Sequence, residues 1–292
     1  MLENYVLHIT KECNMQCVYC YEEDKSSVYS WEDIQELLDN IIRYNKHFCL
    51  EFLGGEPCLR IDLIQKTIEY LENKEDVFVE NYVITTNGTI INDALVVLLQ
   101  KYTKLNWHAS IDGNQFMNCL RILKTGMNSY QSVINNFQYL KKELNEDQFS
   151  QLGAHLVTHP YNIAFFNEGI NDLYEKGVRS FGIGTIESTI IIDDDYCEEF
   201  IRQHHILSDR IKQGELPGIN IGVFNSLKPK SDSRHYIRDD TGKVILETYG
   251  RVKDDIKDTG KYKAPNASSS LGDLIYNIRE NVYLYHNNTL RE

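Results

Sequence analysis

Hydrophobic and polar positions follow two different periods along the first two thirds of the chain. Short, nearly continuous apolar runs, such as residues 48–53, have the length and composition of buried strands. Between them lie longer stretches in which apolar residues recur every three or four positions, which is the spacing of an amphipathic helix. Ile34, Leu38 and Ile41 are one example. The predicted helix N-caps are Ser30, Asn92 and Asn162.

Six strand–helix units in series predict a parallel sheet, because each helical crossover returns the chain to begin the next strand in the same direction. The last predicted helix begins in the aspartate run 193–195 and ends near Gly214. Six units are too few for a closed eight-stranded barrel. We therefore predict the α/β class, with a partial (β/α)6 TIM-like barrel. The predicted strands are residues 5–9, 48–53, 77–86, 105–111, 152–158 and 178–186.

The pattern changes after Gly214. Pro217-Gly218 and the polar stretch 227–234 indicate a connector. Two short apolar runs on either side of Asp239-Asp240-Thr241-Gly242 predict a β-hairpin over residues 236–249, and residues 271–282 have helical spacing. We therefore divide the chain into a partial barrel, residues 1–214, and a small C-terminal α+β appendage, residues 215–292.

Composition and charge exclude some classes of function. The net charge of −13 over 292 residues argues against a nucleic acid partner, because binding phosphates requires clustered Lys and Arg. The same charge disfavours an anionic membrane surface, and no apolar run is long enough to cross a bilayer. An odd number of cysteines, seven, without a signal peptide pattern predicts a cytoplasmic protein.

Three of the cysteines, Cys13, Cys17 and Cys20, have the spacing C-x3-C-x2-C directly after the first predicted strand. Three thiolates can bind three irons of a four-iron cluster and leave the fourth iron open to another molecule. Two alternatives are a structural zinc site, which usually takes four ligands in two pairs, and a redox pair, which needs two cysteines. The chain has no second C-x-x-C, so the spacing favours an iron–sulfur site in an anaerobic host.

Three further motifs end the second, third and fourth predicted strands. Parallel βα architectures place their chemistry at this edge of the sheet. Two glycines allow close backbone approach, and the Glu56 carboxylate can accept hydrogen bonds from an amine. Taken singly, each motif is also typical of an ordinary turn. The motifs are Gly54-Gly55-Glu56-Pro57, Thr85-Thr86-Asn87-Gly88-Thr89 and Ser110-Ile111-Asp112-Gly113.

Together with the cysteine motif, these segments resemble the signature of the radical S-adenosylmethionine (radical SAM) superfamily, over residues 3 to about 187. The resemblance implies one 4Fe-4S cluster on Cys13, Cys17 and Cys20, with SAM bound at the open iron. It also implies that an electron from a flavodoxin or ferredoxin-type donor cleaves SAM to methionine and a 5'-deoxyadenosyl radical. The implied cofactor-binding residues are Tyr19, Gly54, Gly55, Glu56, Pro57, Thr86, Asn87, Ser110 and Asp112.

The segment after Asp112-Gly113 is similar to a pattern in peptide-modifying members of that superfamily. Arg121 keeps its position, whereas Met117-Asn118 stands where those members have a His-Asp pair. Arg121 is therefore a candidate for binding a carboxylate. Cys58 and Cys119 are weak candidates for donating a hydrogen atom to a substrate radical, and simple packing is the alternative for each.

Many peptide-modifying relatives carry auxiliary clusters in a C-terminal extension called SPASM or twitch. No cysteine follows Cys197, so we expect a single cluster and an appendage that resembles such an extension without its ligands. The predicted hairpin is then either a platform for the substrate or a lid that stabilises the barrel. We also expect no leader-binding winged domain, because twelve residues precede Cys13.

The leading functional hypothesis is a radical SAM enzyme that modifies a ribosomally made precursor peptide by cross-linking, epimerisation or dehydrogenation. A radical SAM enzyme that acts on a sugar or nucleotide is an alternative, for which the missing auxiliary cysteines are less surprising. A third hypothesis, of another class, is a non-catalytic iron–sulfur sensor or partner-binding protein.

Overall fold

The computed structural model describes residues 3–20, 22, 25–26, 28–186, 194–221, 236–238 and 244–247. Within them, the main element is a parallel sheet of seven strands, which lie side by side in chain order. The first and last strands pair with one neighbour each, so the sheet is open, as the sequence predicts for a partial barrel. The strands are β1 (Glu3–Thr10), β2 (His47–Gly54), β3 (Phe78–Thr86), β4 (Leu105–Ser110), β5 (Gly153–Thr158), β6 (Ser180–Thr185) and β7 (Asn220–Ile221).

Helices connect the strands and cover one face of the sheet. Ser30 and Asp33 form a capping box at the first helix, and the Asn92 side chain accepts a hydrogen bond from the Leu95 N–H at the third, as predicted. The helices are α1 (Trp31–Tyr44), α2 (Ile61–Glu72), α3 (Asp93–Lys101), α4 (Tyr130–Glu143), α5 (Glu146–Ser150), α6 (Phe166–Glu175) and α7 (Asp194–Lys212).

The two faces of the sheet differ in chemistry. On the outer face, alternate strand residues such as Phe48, Leu50 and Phe52 are fully buried in the hydrophobic core beneath the helices. The inner face carries the residues between them, because successive side chains of a strand point to opposite faces. Many inner residues are polar and only half buried, for example Glu51 and Ser110. The fold therefore presents a polar face on the side that the helices leave uncovered.

Three details of the barrel differ from the sequence prediction, and one is the short helix α5 between α4 and β5, which was not predicted. The sheet has a seventh strand, β7, which pairs in parallel with Ser180 and Phe181 and lies beyond residue 214. Two residues are too few to produce a periodic signal. The predicted cap Asn162 makes no side-chain cap, and α6 begins at Phe166 after a short 3-10 turn. The Asn162 amide instead donates to the Val157 carbonyl oxygen at 3.0 Å.

The predicted C-terminal hairpin is confirmed. Strands β8 (Tyr236–Arg238) and β9 (Val244–Glu247) pair antiparallel, with Tyr236 opposite Glu247. The predicted connector, residues 227–234, and the predicted helix, residues 271–282, lie outside the described residues. Among the helices that the structure describes, none has the length and apolar character needed to cross a membrane.

Candidate functional site

The loop after β1 carries Cys13, Cys17 and Cys20, and the end of β2 packs tightly against its first residues. The Gly55 N–H donates to the Thr10 carbonyl oxygen at 2.8 Å, and the Glu56 N–H donates to the Glu12 carbonyl oxygen at 2.7 Å. A Cβ atom at Gly54 would lie 2.1 Å from the Thr10 oxygen, and one at Gly55 would lie 2.3 Å from the Glu12 oxygen. The two glycines therefore allow the cysteine loop to lie against β2.

The end of β3 holds the same loop through a ring of three side chains. The Asn87 amide donates to Asn14 Oδ1 at 2.7 Å, and the Asn14 amide donates to Thr89 Oγ1 at 2.8 Å. Thr89 Oγ1 in turn donates to Asn87 Oδ1 at 2.7 Å. Asn87 Nδ2 also lies 3.8 Å from Cys13 Sγ. The sequence singled out Asn87 but missed Asn14, whose only signal was its place beside Cys13.

The segment after β4 is the third part of the fold that holds the cysteine loop in place. Residues 120–123 run antiparallel beside residues 15–18, because the Val18 N–H donates to the Leu120 carbonyl oxygen and Met15 bridges to Leu123. This register places Arg121 opposite Cys17. Burial raises the pKa of the Cys17 thiol, and the nearby Arg121 charge acts in the opposite direction. The exposed Cys119 immediately precedes this segment.

Asp112 joins the cysteine loop to β4 and β5. Its carboxylate is fully buried, and Oδ2 accepts a hydrogen bond from the Tyr19 hydroxyl at 2.6 Å. Oδ1 accepts from Arg121 Nε and from the Val157 N–H, both at 2.9 Å. The Asp112 N–H donates to Asn118 Oδ1 at 3.0 Å, so the asparagine that replaces the acidic residue of the His-Asp pair fixes this turn.

Arg121 lies over the ring of Tyr19, with its guanidinium carbon 5.2 Å from the ring centroid. Burial alone would lower the pKa of Arg121, but the facing Asp112 carboxylate outweighs it and the pKa is raised. The guanidinium is therefore charged and held inside the protein at 7% exposure. For the Tyr19 phenol, burial has the opposite effect and raises the pKa well above its usual range.

Glu56 connects the ends of β2 and β3. Its carboxylate is fully buried and accepts hydrogen bonds from the Cys58 N–H at 2.9 Å, from Thr86 Oγ1 at 2.5 Å and from the Asn87 N–H at 2.7 Å. Burial raises its pKa, and these hydrogen bonds act in the opposite direction. The carboxylate thus fixes two of the predicted cofactor-binding segments relative to each other. Pro57 begins the 3-10 turn that follows.

The four remaining cysteines separate into two groups. Cys49, Cys58 and Cys197 are buried, whereas Cys119 is exposed. Burial raises the pKa of the Cys58 thiol well above its usual range, and the nearby Glu56 acts in the same direction. Of the two predicted hydrogen-atom donors, Cys58 lies in the core, at 2% exposure, and Cys119 lies on the surface beside the cysteine loop.

His159, at the end of β5, is a residue that the sequence did not single out. Its Nδ1 accepts a hydrogen bond from the Tyr161 N–H, so the proton of the neutral ring lies on Nε2. Nε2 is buried and has no partner among the described residues, and the ring centroid lies 6.2 Å from that of Tyr19. A buried donor without an acceptor is costly. The His159 Nε2–H is therefore a donor that a bound molecule with acceptor groups could satisfy at this edge of the sheet.

The cysteine loop itself fits a four-iron cluster. All three thiols are free. A four-iron cluster takes one thiolate at each of three separate irons, which is the donor set that this loop carries. Burial raises the pKa of Cys13 and Cys17, and the Arg121 charge favours the thiolate at Cys17.

The buried ion pair gives a prediction for stability. Arg121→Met leaves the Asp112 carboxylate buried without its cation, so the free energy of unfolding is expected to fall by about 3–5 kcal/mol. Urea unfolding of the cluster-free protein measures this. Arg202→Met is the matched control, since Arg202 pairs with Glu199 in solvent and an exposed pair contributes little. Equal losses in both variants would contradict a structural role for the Arg121–Asp112 pair.

Comparison with other protein sequences finds an uncharacterised relative and relatives with two different activities. An uncharacterised protein of Methanocaldococcus jannaschii is 26% identical over 64% of this chain and 63% of its own length. The radical SAM cyclopropyl synthase TigE of Paramaledivibacter caminithermalis is 23% identical over 63% of this chain and 44% of its own. A probable GTP 3',8-cyclase of Methanococcus maripaludis is 28% identical over 38% of this chain and 34% of its own. The chain thus spans less than two thirds of each of these relatives.

Solved structures share the fold over longer stretches. Native anSMEcpe with bound AdoMet and the Cp18Cys peptide matches with a TM-score of 0.69 at 16% identity, over 86% of this chain and 78% of its own. Streptococcus suis SuiB bound to the precursor peptide SuiA matches with a TM-score of 0.57 at 18% identity, over 75% of this chain and 48% of its own. At such identities the matches show a common fold.

The sequence of the barrel matches one family. The radical SAM superfamily matches residues 7–159, which is more than half of the chain and includes the cysteine loop and the ends of β2 to β5. Members of this family use a 4Fe-4S cluster and SAM, and the open parallel sheet is the partial barrel that its structures share. The chain therefore belongs to the radical SAM superfamily, as its motifs predicted.

Proposed function

We propose that this radical SAM enzyme modifies a ribosomally made precursor peptide in the cytoplasm of an anaerobic host. The observation that carries the proposal is the extent of similarity to peptide-bound structures. The fold of anSMEcpe with its Cp18Cys peptide corresponds to 86% of the chain, and that of SuiB with its precursor peptide SuiA corresponds to 75%. The Asp112, Asn118 and Arg121 contacts add support, because they form the turn whose sequence resembles peptide-modifying enzymes.

The residues at the sheet edge have distinct proposed roles. Cys13, Cys17 and Cys20 hold the cluster, and SAM bound to it supplies a radical that abstracts a hydrogen atom from the substrate. Gly54 and Gly55 bring the cysteine loop against β2, where SAM is proposed to bind. The remaining proposed SAM contacts are Tyr19, Glu56, Pro57, Thr86, Asn87, Ser110 and Asp112.

Within this group, two buried carboxylates act mainly by positioning. Glu56 fixes the Thr86-Asn87 turn, and Asp112 fixes the ring of Tyr19 and the guanidinium of Arg121. Arg121 keeps a positive charge near Cys17, which stabilises negative charge at the cluster. We propose a single cluster, and a flavodoxin or ferredoxin-type protein as the electron donor. Residues 215–292, apart from strand β7 of the barrel sheet, are proposed as a cluster-free appendage that supports the peptide.

Mass spectrometry of a precursor peptide encoded beside this gene tests the proposal. The peptide is incubated with reconstituted enzyme, SAM and dithionite, and Cys17→Ala protein serves as the control. Loss of two hydrogens indicates cross-linking or dehydrogenation, and uptake of one deuterium from heavy water indicates epimerisation. An unmodified peptide, with SAM cleaved only in the presence of a sugar or nucleotide, would favour the small-molecule alternative. An intact cluster that never cleaves SAM would favour the sensor hypothesis.

A further inference from the structure

On the inner face of the sheet, four consecutive strands each carry a polar side chain within a few residues of the strand's end. We call this set the polar row: Glu51 on β2, Thr85 on β3, His108 on β4 and His155 on β5. Thr85 Oγ1 donates to Glu51 Oε1 at 2.6 Å, and Thr85 lies opposite His108 in the strand register. His108 Nδ1 and His155 Nε2 lie 3.2 Å apart. The row is thus linked by hydrogen bonds at both ends.

Glycines on the neighbouring strands make room for the two imidazoles. A Cβ atom at Gly153 would lie 2.8 Å from His108 Cδ2, and one at Gly182 would lie 2.5 Å from His155 Cδ2. Both rings therefore lie over bare backbone, where any larger residue would push them away. The row lies close to the radical-generating edge, because Thr85 adjoins Thr86 and His155 lies opposite Ser110.

The charge of the polar row is negative or zero near neutral pH. Burial lowers the pKa of His108 to about 4 and, with His108 beside it, that of His155 to about 3, so both rings are neutral. Glu51 is the acidic group of the row, and its pKa is raised by burial and lowered by the Thr85 hydrogen bond. The seven strands contain no Lys or Arg. The Arg121 charge reaches His155 and helps to lower its pKa, but Arg121 is already paired with the Asp112 carboxylate at 2.9 Å.

We infer that the polar row binds a substrate side chain with a cationic nitrogen, an amine or a guanidinium, and disfavours phosphates and carboxylates. Thr85 gives the half-buried Glu51 carboxylate a neutral hydrogen-bond donor, and an incoming ammonium or guanidinium adds the stronger charge-assisted hydrogen bond that a hydroxyl does not supply. A phosphate would find no arginine or lysine on these strands. The inference rests on the proposed function and narrows it to a peptide that presents Lys or Arg to the inner face.

Three tripeptides test this inference. Acetyl-Gly-X-Gly-amide, with X as Lys, norleucine or Glu, is titrated calorimetrically into reconstituted enzyme loaded with SAM. We expect the Lys peptide to bind about tenfold or more tightly than the other two, since tenfold corresponds to about 1.4 kcal/mol. The variant Glu51→Gln keeps the shape and the Thr85 hydrogen bond, and it should remove the preference. Glu80→Gln, an exposed carboxylate on β3 that pairs with His47, should retain it.

Several outcomes would overturn the inference. One is equal affinity of the three peptides for the unaltered enzyme, a comparison that needs no variant. Others are a preference that survives in Glu51→Gln, no binding of the Lys peptide at millimolar concentration, or tighter binding of GTP than of the Lys peptide in equilibrium dialysis. The proposed function is judged separately by the mass change of the precursor peptide. Modification of a precursor without Lys or Arg would leave the function standing and remove the inference.

Discussion

Cys13→Ala, Cys17→Ala and Cys20→Ala are each expected to lose nearly all cluster iron and to abolish SAM cleavage. Two thiolates leave a second iron without a protein ligand, and a cluster held at two corners is readily lost to solvent. The fold should persist, because the hydrophobic core lies on the outer face of the sheet and does not include these side chains. Iron and sulfide analysis, charge-transfer absorbance and far-ultraviolet circular dichroism measure the two effects independently.

Cys119→Ala provides the matched control for these variants. Cys119 is an exposed free thiol that immediately precedes the segment beside the cysteine loop, so it shares the local environment without being a proposed ligand. It should retain about four irons per chain, the content of a single cluster. A ligand variant with full iron content would remove that cysteine from the proposed set. Markedly more than four irons in the unaltered protein would show that the expectation of one cluster is wrong.

The strands and helices of the barrel followed from the sequence because their periodic burial is strong. In β2, for example, Phe48, Leu50 and Phe52 all face the helices. The same reasoning could not find β7. This strand has two residues, and it pairs with β6 although the helix α7 separates the two strands in the chain. It also misplaced the start of α6, because the Asn162 side chain bonds to Val157 within β5 and to the His159 N–H just after β5 instead of capping the helix. Both misses involve contacts that local periodicity does not encode.

The candidate site was predicted as a set of residue types but not as a set of contacts. The Tyr19 hydroxyl bonds to Asp112, 93 residues away in the chain, and the Asn87 amide bonds to Asn14, 73 residues away. Motifs predicted that these segments meet at one edge of a parallel sheet. They did not predict that the Glu56 carboxylate would be enclosed by three donors, because its direction depends on how the turn after β2 packs against the end of β3.

The glycines of the second motif allow the packing of the cysteine loop to be tested without altering a ligand. Gly55→Ala is expected to remove most of the cluster iron, because the new Cβ would lie 2.3 Å from the carbonyl oxygens of Lys11 and Glu12. The neighbouring atoms are backbone, so the loop that leads into Cys13 must move. Overpacking of this kind typically costs about 1–3 kcal/mol, and here we expect it to displace the loop while the barrel remains folded.

Gly126→Ala is the matched control, because it separates steric contact from backbone strain. Gly126 has a φ of +86° and nothing within 4 Å of its added Cβ, whereas Gly55 has the contact without a positive φ. The control should cost about 1 kcal/mol of stability through strain alone and keep its iron. Iron content and urea unfolding are measured on both variants. Full iron content in Gly55→Ala would show that the cysteine loop can bind its cluster without close contact to β2. Iron loss confined to Gly55→Ala would establish that contact as a condition for cluster binding.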